Sequence, residues 1–271
     1  MPALDLLRER AVGTELPIVR LMGIPIHAVR ERECVDYIVD RARSRCGGWV
    51  VTPNLDHLRR LVSERPFREL CAGATLRVAD GMPLVWASRL RGTPLPERVA
   101  GSDLVVSLSR AAAKAGIPVF LLGGNPGTAV GAAQALKRRF PRLVVAGTEC
   151  PECGLETDPQ RLQALGRRLQ DAAPGVVYVA LGSPKQELVI EQLRSFVPAA
   201  WWVGVGISFS FLTGEVRRAP LWVRRLGLEW LHRLLREPRR LARRYLVQGV
   251  PFAVRLLAAS AGERLAAGRR P

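Results

Sequence analysis

The stretch Val78-Ala79-Asp80-Gly81-Met82-Pro83 puts a carboxylate between a predicted strand and a predicted helix. The apolar run from Leu76 to Ala79 is typical of a buried strand, Asp80-Gly81 ends it, and Pro83 suits the first turn of a helix. Ligands of open α/β sheets bind outside the carboxyl ends of the strands, where a carboxylate can accept a proton from a substrate. Asp80 is therefore a candidate general base, and the alternative is that it only caps the helix.

Short apolar runs alternate with amphipathic helical patterns along most of the chain before residue 217. This alternation predicts the α/β class, with a Rossmann-like parallel sheet covered by helices on both faces. Because the carboxyl ends of parallel strands meet at one edge of a sheet, the segments that follow them are expected to lie together. Five such segments are polar or rich in glycine: Thr52-Pro53-Asn54, Asp80-Gly81, Gly123-Gly124-Asn125, Gly182-Ser183-Pro184-Lys185-Gln186 and Gly204-Val205-Gly206.

Two of these segments suit a nucleotide or a phosphate. Gly123 and Gly124 leave room for a phosphate to approach backbone N–H groups ahead of a helix, although a tight strand-to-helix turn explains them equally well. After Gly182, the side chains of Lys185 and Gln186 are placed to contact a base, a sugar or a diphosphate. The alternative for this second segment is an ordinary exposed first turn of a helix.

Two further polar residues lie near the predicted crevice. Arg98 is in a Pro-rich loop just before a helix start, and it either reaches back to the strand ends or is an ordinary surface charge. His57 follows the Thr52 segment, has no visible partner in the sequence, and is interpreted as a structural histidine.

The positive charge of the chain is concentrated after residue 216. The formal net charge is +17, and residues 217–271 contain fourteen Arg and three Glu, or +11 of that total. A basic segment on a mildly basic body indicates an anionic partner such as membrane headgroups, nucleic acid or a phosphorylated substrate. We therefore divide the chain into an α/β core, residues 1–216, and a basic helical appendage, residues 217–271.

Apolar and basic residues alternate in this appendage. Trp222 and Trp230 stand between Leu and Arg residues, a pattern typical of a helix that lies in a membrane interface. No apolar run reaches the roughly 20 residues of a membrane span, so the sequence predicts association with an anionic membrane surface. No recognised nucleic-acid motif is present, and no nucleic-acid partner is expected. The alternative is that the apolar side chains pack on the core while the arginines are only solvated.

Five cysteines bear on the redox setting: Cys34, Cys46, Cys71, Cys150 and Cys153. Their odd number, with no secretory signal before them, predicts a reducing, cytoplasmic setting. The C-x-x-C spacing of Cys150 and Cys153 has no second pair or nearby His to complete a zinc site, so a structural or incidental role is favoured over metal or redox chemistry.

The sequence contains no Asp-x-Asp, the motif with which many nucleotide-sugar transferases hold a divalent ion on the diphosphate. If a diphosphate leaves from this site, cationic side chains must therefore stabilise it in place of a metal, and no cofactor is expected. Arg233, Arg240 and Arg243 have a spacing that shares one face of a continuous helix, although Pro238 interrupts that helix.

Taken together, the motifs resemble the WecG/TagA/CpsF glycosyltransferases, glycosyltransferase family 26. The resemblance runs in order from about Pro17 to Tyr245. It rests on Thr52-Pro53-Asn54-Leu55-Asp56, Ala79-Asp80-Gly81-Met82-Pro83, Pro96-Glu97-Arg98-Val99-Ala100-Gly101-Ser102-Asp103-Leu104, Leu121-Leu122-Gly123-Gly124, Leu181-Gly182-Ser183-Pro184-Lys185-Gln186-Glu187, Gly204-Val205-Gly206, Gly227-Leu228-Glu229-Trp230-Leu231-His232-Arg233-Leu234 and Glu237-Pro238-Arg239-Arg240.

The resemblance implies a metal-independent, inverting transfer of an N-acetylmannosamine-type sugar from a UDP donor to a polyprenyl-diphosphate-linked GlcNAc acceptor. It implies a Rossmann-like core of the GT-E type, with a helical appendage that helps to complete the active site and contacts the inner face of the plasma membrane. Asp80 matches the proposed general base, and Thr52 and Asn54 line the same pocket. Other positions that match the pocket or bind the diphosphate are Arg98, Gln186, Arg233, Arg240 and Arg243.

One position departs from the family pattern. Many members have Phe-Asp-Phe after the Gly-Val-Gly strand, whereas this chain has Phe209-Ser210-Phe211. The missing carboxylate leaves the sugar undetermined more than the reaction class. It also keeps open a non-catalytic nucleotide-binding protein whose basic tail docks on membrane or nucleic acid. A phosphate-ester enzyme is disfavoured because there is no P-loop. The oligomeric state is open, a homo-oligomer included.

Overall fold

The computed structural model of the protein describes residues 16–225 and 227–267. Its strands are β1 (Ile18–Leu21), β2 (Ile24–His27), β3 (Gly48–Val51), β4 (Leu76–Arg77), β5 (Val119–Gly123), β6 (Val145–Glu149), β7 (Val176–Ala180) and β8 (Trp201–Gly204). Strands β3 to β8 form a parallel six-stranded sheet in the order β4-β3-β8-β7-β5-β6. The predicted α/β, Rossmann-like class is confirmed.

Helices cover both faces of this sheet. Those before residue 217 are α1 (Glu31–Arg43), α2 (Leu55–Ser63), α3 (Arg65–Leu70), α4 (Met82–Arg91), α5 (Gly101–Ala115), α6 (Thr128–Arg139), α7 (Pro159–Ala172), α8 (Lys185–Leu193) and α9 (Ser208–Thr213). Helices α2, α3, α4, α7 and α8 contribute to the apolar layer on one face, and α1, α5, α6 and α9 contribute to the layer on the other.

The middle strand β7 shows how the sequence fills both layers. Its five residues are all buried. Val177 and Val179 point into one layer, while Val176 and Tyr178 point into the other, because successive side chains of a strand face opposite sides. A continuous apolar run is the pattern of a parallel strand covered on both faces.

A separate hairpin precedes the sheet. β1 and β2 pair antiparallel around Met22 and Gly23. Both turn residues have positive φ, 49° and 82°, which is the geometry of a tight hairpin turn whose twist matches that of the strands.

Strand β4 is shorter than predicted, since it ends at Arg77 and not at Ala79. The chain beyond it stays extended through backbone bonds to its neighbours. Val78 N donates to Val51 O at 3.0 Å, and Asp80 N donates to Pro53 O at 2.8 Å. Ala79 O instead accepts from Val99 N at 2.8 Å, so the loop before α5 takes over one side of this segment.

The C-terminal segment is helical throughout most of its length. It contains α10 (Leu221–Arg225), α11 (Glu229–Arg236), α12 (Pro238–Ala242), a π-helical turn (Arg243–Gly249) and α13 (Val250–Ala267). Phe252 and Leu256 of α13 are buried in the same layer as α4. The division of the chain at residues 216 and 217 stays a prediction.

Pro251 does not interrupt the last helix. Pro251 lies in the first turn of α13, directly after the π-helical turn, and the helix runs on through it. A π turn changes the local hydrogen-bond pattern, so a proline, which lacks an N–H and crowds the preceding turn, can be accommodated there. Within the described residues, no helix is both long enough and apolar enough to span a bilayer.

Candidate active site

Three strand ends and one helix start enclose a crevice at the carboxyl edge of the sheet. Thr52 follows β3, Asp80 follows the β4 segment, and Gly204 ends β8. Gly101 begins α5 beside them. A Cβ added at Gly101 would lie 3.2 Å from Gly204 O and 3.4 Å from Thr52 Oγ1, so glycine lets this helix start approach the two strand ends closely. The crevice is where parallel α/β sheets bind ligands.

The backbone fixes Asp80 in this crevice without using its side chain. Its N–H is bound to Pro53 O, and the residue that caps α4 is Gly81, which makes no side-chain capping bond. The interpretation of Asp80 as a helix cap is therefore wrong. Its carboxyl group points to a set of charged side chains instead.

Burial makes the Asp80 carboxyl a weaker acid than an ordinary aspartate. The ionised form is poorly solvated there, which raises the pKa of Asp80 to about 6, although the positive charges of Arg98 and His57 act to lower it. Glu229 and Asp103 add to the rise through their negative charge. The side chain keeps 27% exposure, so a ligand can reach it. A carboxylate with this pKa can accept a proton near neutral pH.

Six charged side chains form what we call the Arg98 cluster: Asp80, Arg98, Asp103, Arg218, Arg224 and Glu229. Arg98 Nη1 lies 3.7 Å from Asp80 Oδ1 and donates to Glu229 Oε2 at 3.1 Å. Arg98 Nη2 donates to Asp103 Oδ2 at 3.2 Å. Three carboxylates and three guanidinium groups thus meet at the crevice, and half of them come from residues after 216.

Asp103 is the junction between core and C-terminal segment. Arg218 binds it with both terminal nitrogens, at 2.6 and 2.8 Å, and Arg224 Nη1 donates to it at 3.3 Å. Although burial alone would raise it, the hydrogen bonds and charge of Arg218 hold the pKa of Asp103 below its ordinary value, with further help from Arg98 and Arg224. Asp103 is therefore ionised across the neutral range.

Asn54 has a local structural task. Its Oδ1 accepts from Asp56 N at 3.0 Å and His57 N at 3.1 Å, which caps α2. A Cβ added at Gly81 would lie 3.7 Å from Asn54 Cα, so the cap is next to the start of α4. The structure thus brings Asn54, Thr52 and Asp80 onto neighbouring segments of the same crevice.

Gly123 and Gly124 let β5 end against β7. Both have positive φ, 101° and 84°, and a Cβ on Gly123 would lie 2.7 Å from Ala180 O. Gly124 N donates to the same carbonyl oxygen at 2.8 Å. Close backbone approach explains these glycines without a ligand, and their predicted contact with a nucleotide stays a prediction.

The carboxylate of Glu215 is hydrogen-bonded to the segment that follows Gly124. Glu215 accepts from Thr128 Oγ1 at 2.7 Å and from Ser210 Oγ at 3.0 Å, with Asn125 Nδ2 at 3.5 Å. These hydrogen bonds hold the pKa of Glu215 below its ordinary range. A carboxylate therefore lies one hydrogen bond from Ser210, the position at which the family pattern has Asp.

In the segment after β7, the side chains of Lys185 and Gln186 make different contacts. Lys185 Nζ pairs with Glu156 Oε1 at 3.1 Å. Gln186 is buried, accepts from Gly206 N at 3.2 Å through Oε1, and donates to Glu187 Oε1 at 2.8 Å through Nε2. Gln186 thus joins the first turn of α8 to the loop after β8. Gly182 has open space around it and positive φ, 73°.

The three appendage arginines predicted to bind diphosphate do not lie on one continuous helix. Helix α11 ends at Arg236 and α12 begins at Pro238, so Arg233 is separated from Arg243, the first residue of the π-helical turn. Arg233 lines a small cleft together with Arg218 and Glu229. The side chain of Arg240 lies outside the described part of the chain.

The sequence did not indicate that Asp103, Arg218, Arg224 and Glu229 would lie together in the Arg98 cluster. Arg218 and Arg224 were two among many arginines, and Asp103 and Glu229 stood only inside motifs. Glu229 could have pointed to such an ion-pair cluster, because it is one of only three acidic residues beside the fourteen arginines that follow residue 216. An isolated carboxylate in a basic segment is a candidate partner for a specific cation.

His57 has the partner that the sequence did not show. Its Nε2 lies 3.5 Å from Glu187 Oε1, and both side chains are buried. Hydrogen bonds from His57 and Gln186 hold the pKa of Glu187 below its ordinary value, although burial alone would raise it. The pair links α2 to α8 beneath the crevice segments.

The cysteines are free thiols. Cys150 Sγ donates to Gly124 O at 3.2 Å, and Cys153 is exposed. In residues 16–225 and 227–267, no group of three His, Cys, Asp or Glu side chains is arranged to hold a metal ion.

Comparison with known protein families gives a match that covers most of the chain. The model described as "Glycosyl transferase WecG/TagA/CpsF family" matches residues 19–265. The matched region contains the whole parallel sheet, every member of the Arg98 cluster and nearly all of the C-terminal segment.

Proposed function

Because the chain belongs to the WecG/TagA/CpsF glycosyltransferase family, we propose that it moves an N-acetylmannosamine-type sugar from a UDP donor to a polyprenyl-diphosphate-linked GlcNAc acceptor. Membership of the family makes the chain a glycosyltransferase of cell-surface polysaccharide synthesis, with a nucleotide-sugar donor and a lipid-linked acceptor. The donor and acceptor proposed here follow the family resemblance, and the observation that carries the proposed base is the Asp80 carboxyl, which lies at the carboxyl edge of the sheet beside Arg98 with a pKa of about 6.

In the proposed reaction, Asp80 acts on the acceptor. Its carboxylate takes the proton of an acceptor hydroxyl as the oxygen attacks C1 of the donor sugar. The attack comes from the face opposite UDP, so the configuration at C1 inverts. The bond from C1 to the diphosphate oxygen breaks, and its electron pair leaves with UDP. Thr52, 9% exposed beside Asp80 in the crevice, lines the acceptor side in this proposal.

Arginine side chains stabilise the departing diphosphate in this proposal. Guanidinium groups bind phosphate oxygens through paired N–H donors and need no metal. Arg98, Arg218 and Arg224 already meet at the crevice, and Arg233 lines a cleft with Arg218. This arrangement supports a metal-independent transfer, to which Arg240 and Arg243 are proposed to contribute from the following helices.

The C-terminal segment is proposed to rest on the cytoplasmic face of the plasma membrane. Leu246 and Val247 of the π-helical turn and Val250 and Val254 of α13 are exposed. Trp222 and Leu235 are also exposed, at 65% and 74%. Each Arg near an anionic lipid surface adds about 1 kcal/mol of binding, which supports docking beside a lipid-linked acceptor.

A panel of UDP-sugars, including UDP-N-acetylmannosamine, tests this function with a lipid-linked GlcNAc acceptor in detergent and with EDTA present. We expect acceptor-dependent UDP release that EDTA leaves intact, for one donor above the others. UDP binding without release from any donor contradicts the transferase proposal and supports a non-catalytic nucleotide-binding protein. Release that EDTA abolishes contradicts the metal-independent mechanism alone.

A further inference from the structure

The guanidinium of Arg98 faces three carboxylates at unequal distances. Nη1 lies 3.1 Å from Glu229 Oε2 but 3.7 Å from Asp80 Oδ1, and Nη2 lies 3.2 Å from Asp103 Oδ2. The first and last distances are hydrogen bonds, whereas 3.7 Å is too long for one. Glu229 and Asp80 thus compete for the same nitrogen, and Glu229 holds it.

Glu229 is itself firmly placed. It lies in the first turn of α11, and its other oxygen, Oε1, accepts from Arg218 Nε at 3.3 Å. Its side chain is 18% exposed, and those of Arg98 and Arg218 are 17% exposed. Water therefore screens these contacts little, and moving the carboxylate away from its two cations is costly.

We propose that Glu229 is a positioning residue: by binding Arg98 Nη1 from the C-terminal segment, it holds this guanidinium back from Asp80 and leaves the Asp80 carboxylate free to accept a proton. The inference rests on the proposed role of Asp80 as the base. A carboxylate that pairs directly with Arg is stabilised in its charged form and becomes a weaker base. Docking of the C-terminal segment then sets the strength of a base that lies in the core.

Among the described side chains, charged or titratable groups act on Asp80 from several of the elements around it. Arg98 and His57 lower its pKa, and Glu229 and Asp103 raise it, on top of the larger effect of burial. His57 is paired with Glu187, and Asp103 is shared with Arg218 and Arg224. Removing the Glu229 charge lowers the Asp80 pKa in two ways, since a repulsive charge disappears and Arg98, now 3.7 Å from Asp80, becomes free to shorten that ion pair to a hydrogen bond.

A purely structural role for Glu229 has a different signature. As an anchor of the C-terminal segment, Glu229 would affect stability and rate without changing the pH at which Asp80 titrates. Glu263 offers a matched control, because it too is a carboxylate of the C-terminal segment that pairs with a core arginine, Arg91. Glu263→Gln removes such a pair outside the Arg98 cluster.

The test is a titration of the full chain labelled with ¹³C at aspartate side-chain carboxyls, followed by NMR without substrate. Asp80→Asn assigns the Asp80 signal. In Glu229→Gln we expect the Asp80 midpoint to fall by roughly one pH unit, as expected for the loss of one close like charge. Glu229→Asp keeps the charge on a shorter side chain and gives a smaller fall. Glu263→Gln leaves the midpoint where it is in the wild type.

An unchanged Asp80 midpoint in folded Glu229→Gln overturns the inference. Should that variant fail to fold, an unchanged or raised midpoint in Glu229→Asp overturns it equally. The acid limb of acceptor-dependent UDP release must move with the midpoint. A midpoint that falls in a protein that transfers no sugar supports the electrostatic link between Glu229 and Asp80 and contradicts the transferase proposal alone, so the two failures are distinguishable.

Discussion

Arg218 binds Asp103 with both terminal nitrogens of its guanidinium, at 2.6 and 2.8 Å, although 115 residues separate the two in the chain. Asp103 lies in the first turn of α5, and Arg218 is the second residue of the C-terminal segment. The bidentate ion pair therefore attaches the C-terminal segment to the edge of the crevice in a specific geometry.

Arg218→Gln should loosen this attachment. With allowance for screening by partial exposure, we expect a loss of about 1–2 kcal/mol in the free energy of unfolding at pH 7. Because Arg218 holds the pKa of Asp103 below its unfolded value, the stabilisation is present above pH ~4 and disappears as pH falls through the lower folded pKa. Urea unfolding across pH measures this. A difference between the variant and the wild type that persists at the lowest pH contradicts the account.

Asp80→Asn should stabilise the protein at pH 7–8 while it slows transfer strongly. A carboxyl whose pKa is raised on folding contributes stability below its unfolded pKa, and this contribution is lost as pH rises through about 6. At pH 7–8 the amide removes that cost, so the variant should unfold at a higher temperature than the wild type. The advantage should vanish below pH ~4. Thermal melts over this range check the sign, and a variant that is less stable at pH 8 contradicts the buried-carboxyl interpretation.

Two glycine substitutions separate close packing from backbone strain. Gly123→Ala puts a Cβ 2.7 Å from Ala180 O at a φ of 101°, whereas Gly182→Ala has open space at a φ of 73°. We expect a loss of roughly 1 kcal/mol for Gly182→Ala and clearly more, about 2–4 kcal/mol, for Gly123→Ala. Chemical denaturation of both variants measures the difference. Equal losses contradict the close approach of β5 and β7.

Ser210→Asp should disturb the protein although it restores the family pattern. The Ser210 hydroxyl donates to Glu215, so an Asp in its place sets two carboxylates against each other. We expect a lower melting temperature at pH 7 that recovers on mild acidification, and recovery at pH 7 in the double variant Ser210→Asp, Glu215→Gln. A Ser210→Asp variant as stable as the wild type at all pH values contradicts the close contact between residue 210 and the Glu215 carboxylate.

The sequence was sufficient to predict the parallel sheet and the position of Asp80 at the end of a strand. Strands such as β7 are continuous apolar runs, and the Asp80-Gly81 pair marks the end of one, so both the α/β class and the place of the carboxylate follow from local patterns. The pairing of Arg98 with Glu229 could not be predicted in the same way. The two residues are 131 positions apart, and only the docking of α11 beside the loop before α5 brings them together.

Local sequence patterns also could not predict where the helices of the C-terminal segment are continuous and where they break. Pro238 does separate two helices, as expected, but Pro251 does not, because a π-helical turn precedes it. Wide helical turns have no sequence signature comparable to that of a helix cap. The position of Arg243 relative to Arg233 therefore depends on packing against α2, which only the structure shows.

The most direct test of the central claim is the pH profile of acceptor-dependent UDP release, measured with EDTA for the wild type and Asp80→Asn at equal donor occupancy. The account predicts that the wild-type rate falls on the acid side with a midpoint near pH 6, where Asp80 is protonated. Asp80→Asn should lose about 10²–10⁴-fold in turnover and show no such limb. Near-normal turnover of Asp80→Asn with donor bound would contradict the assignment of Asp80 as the base.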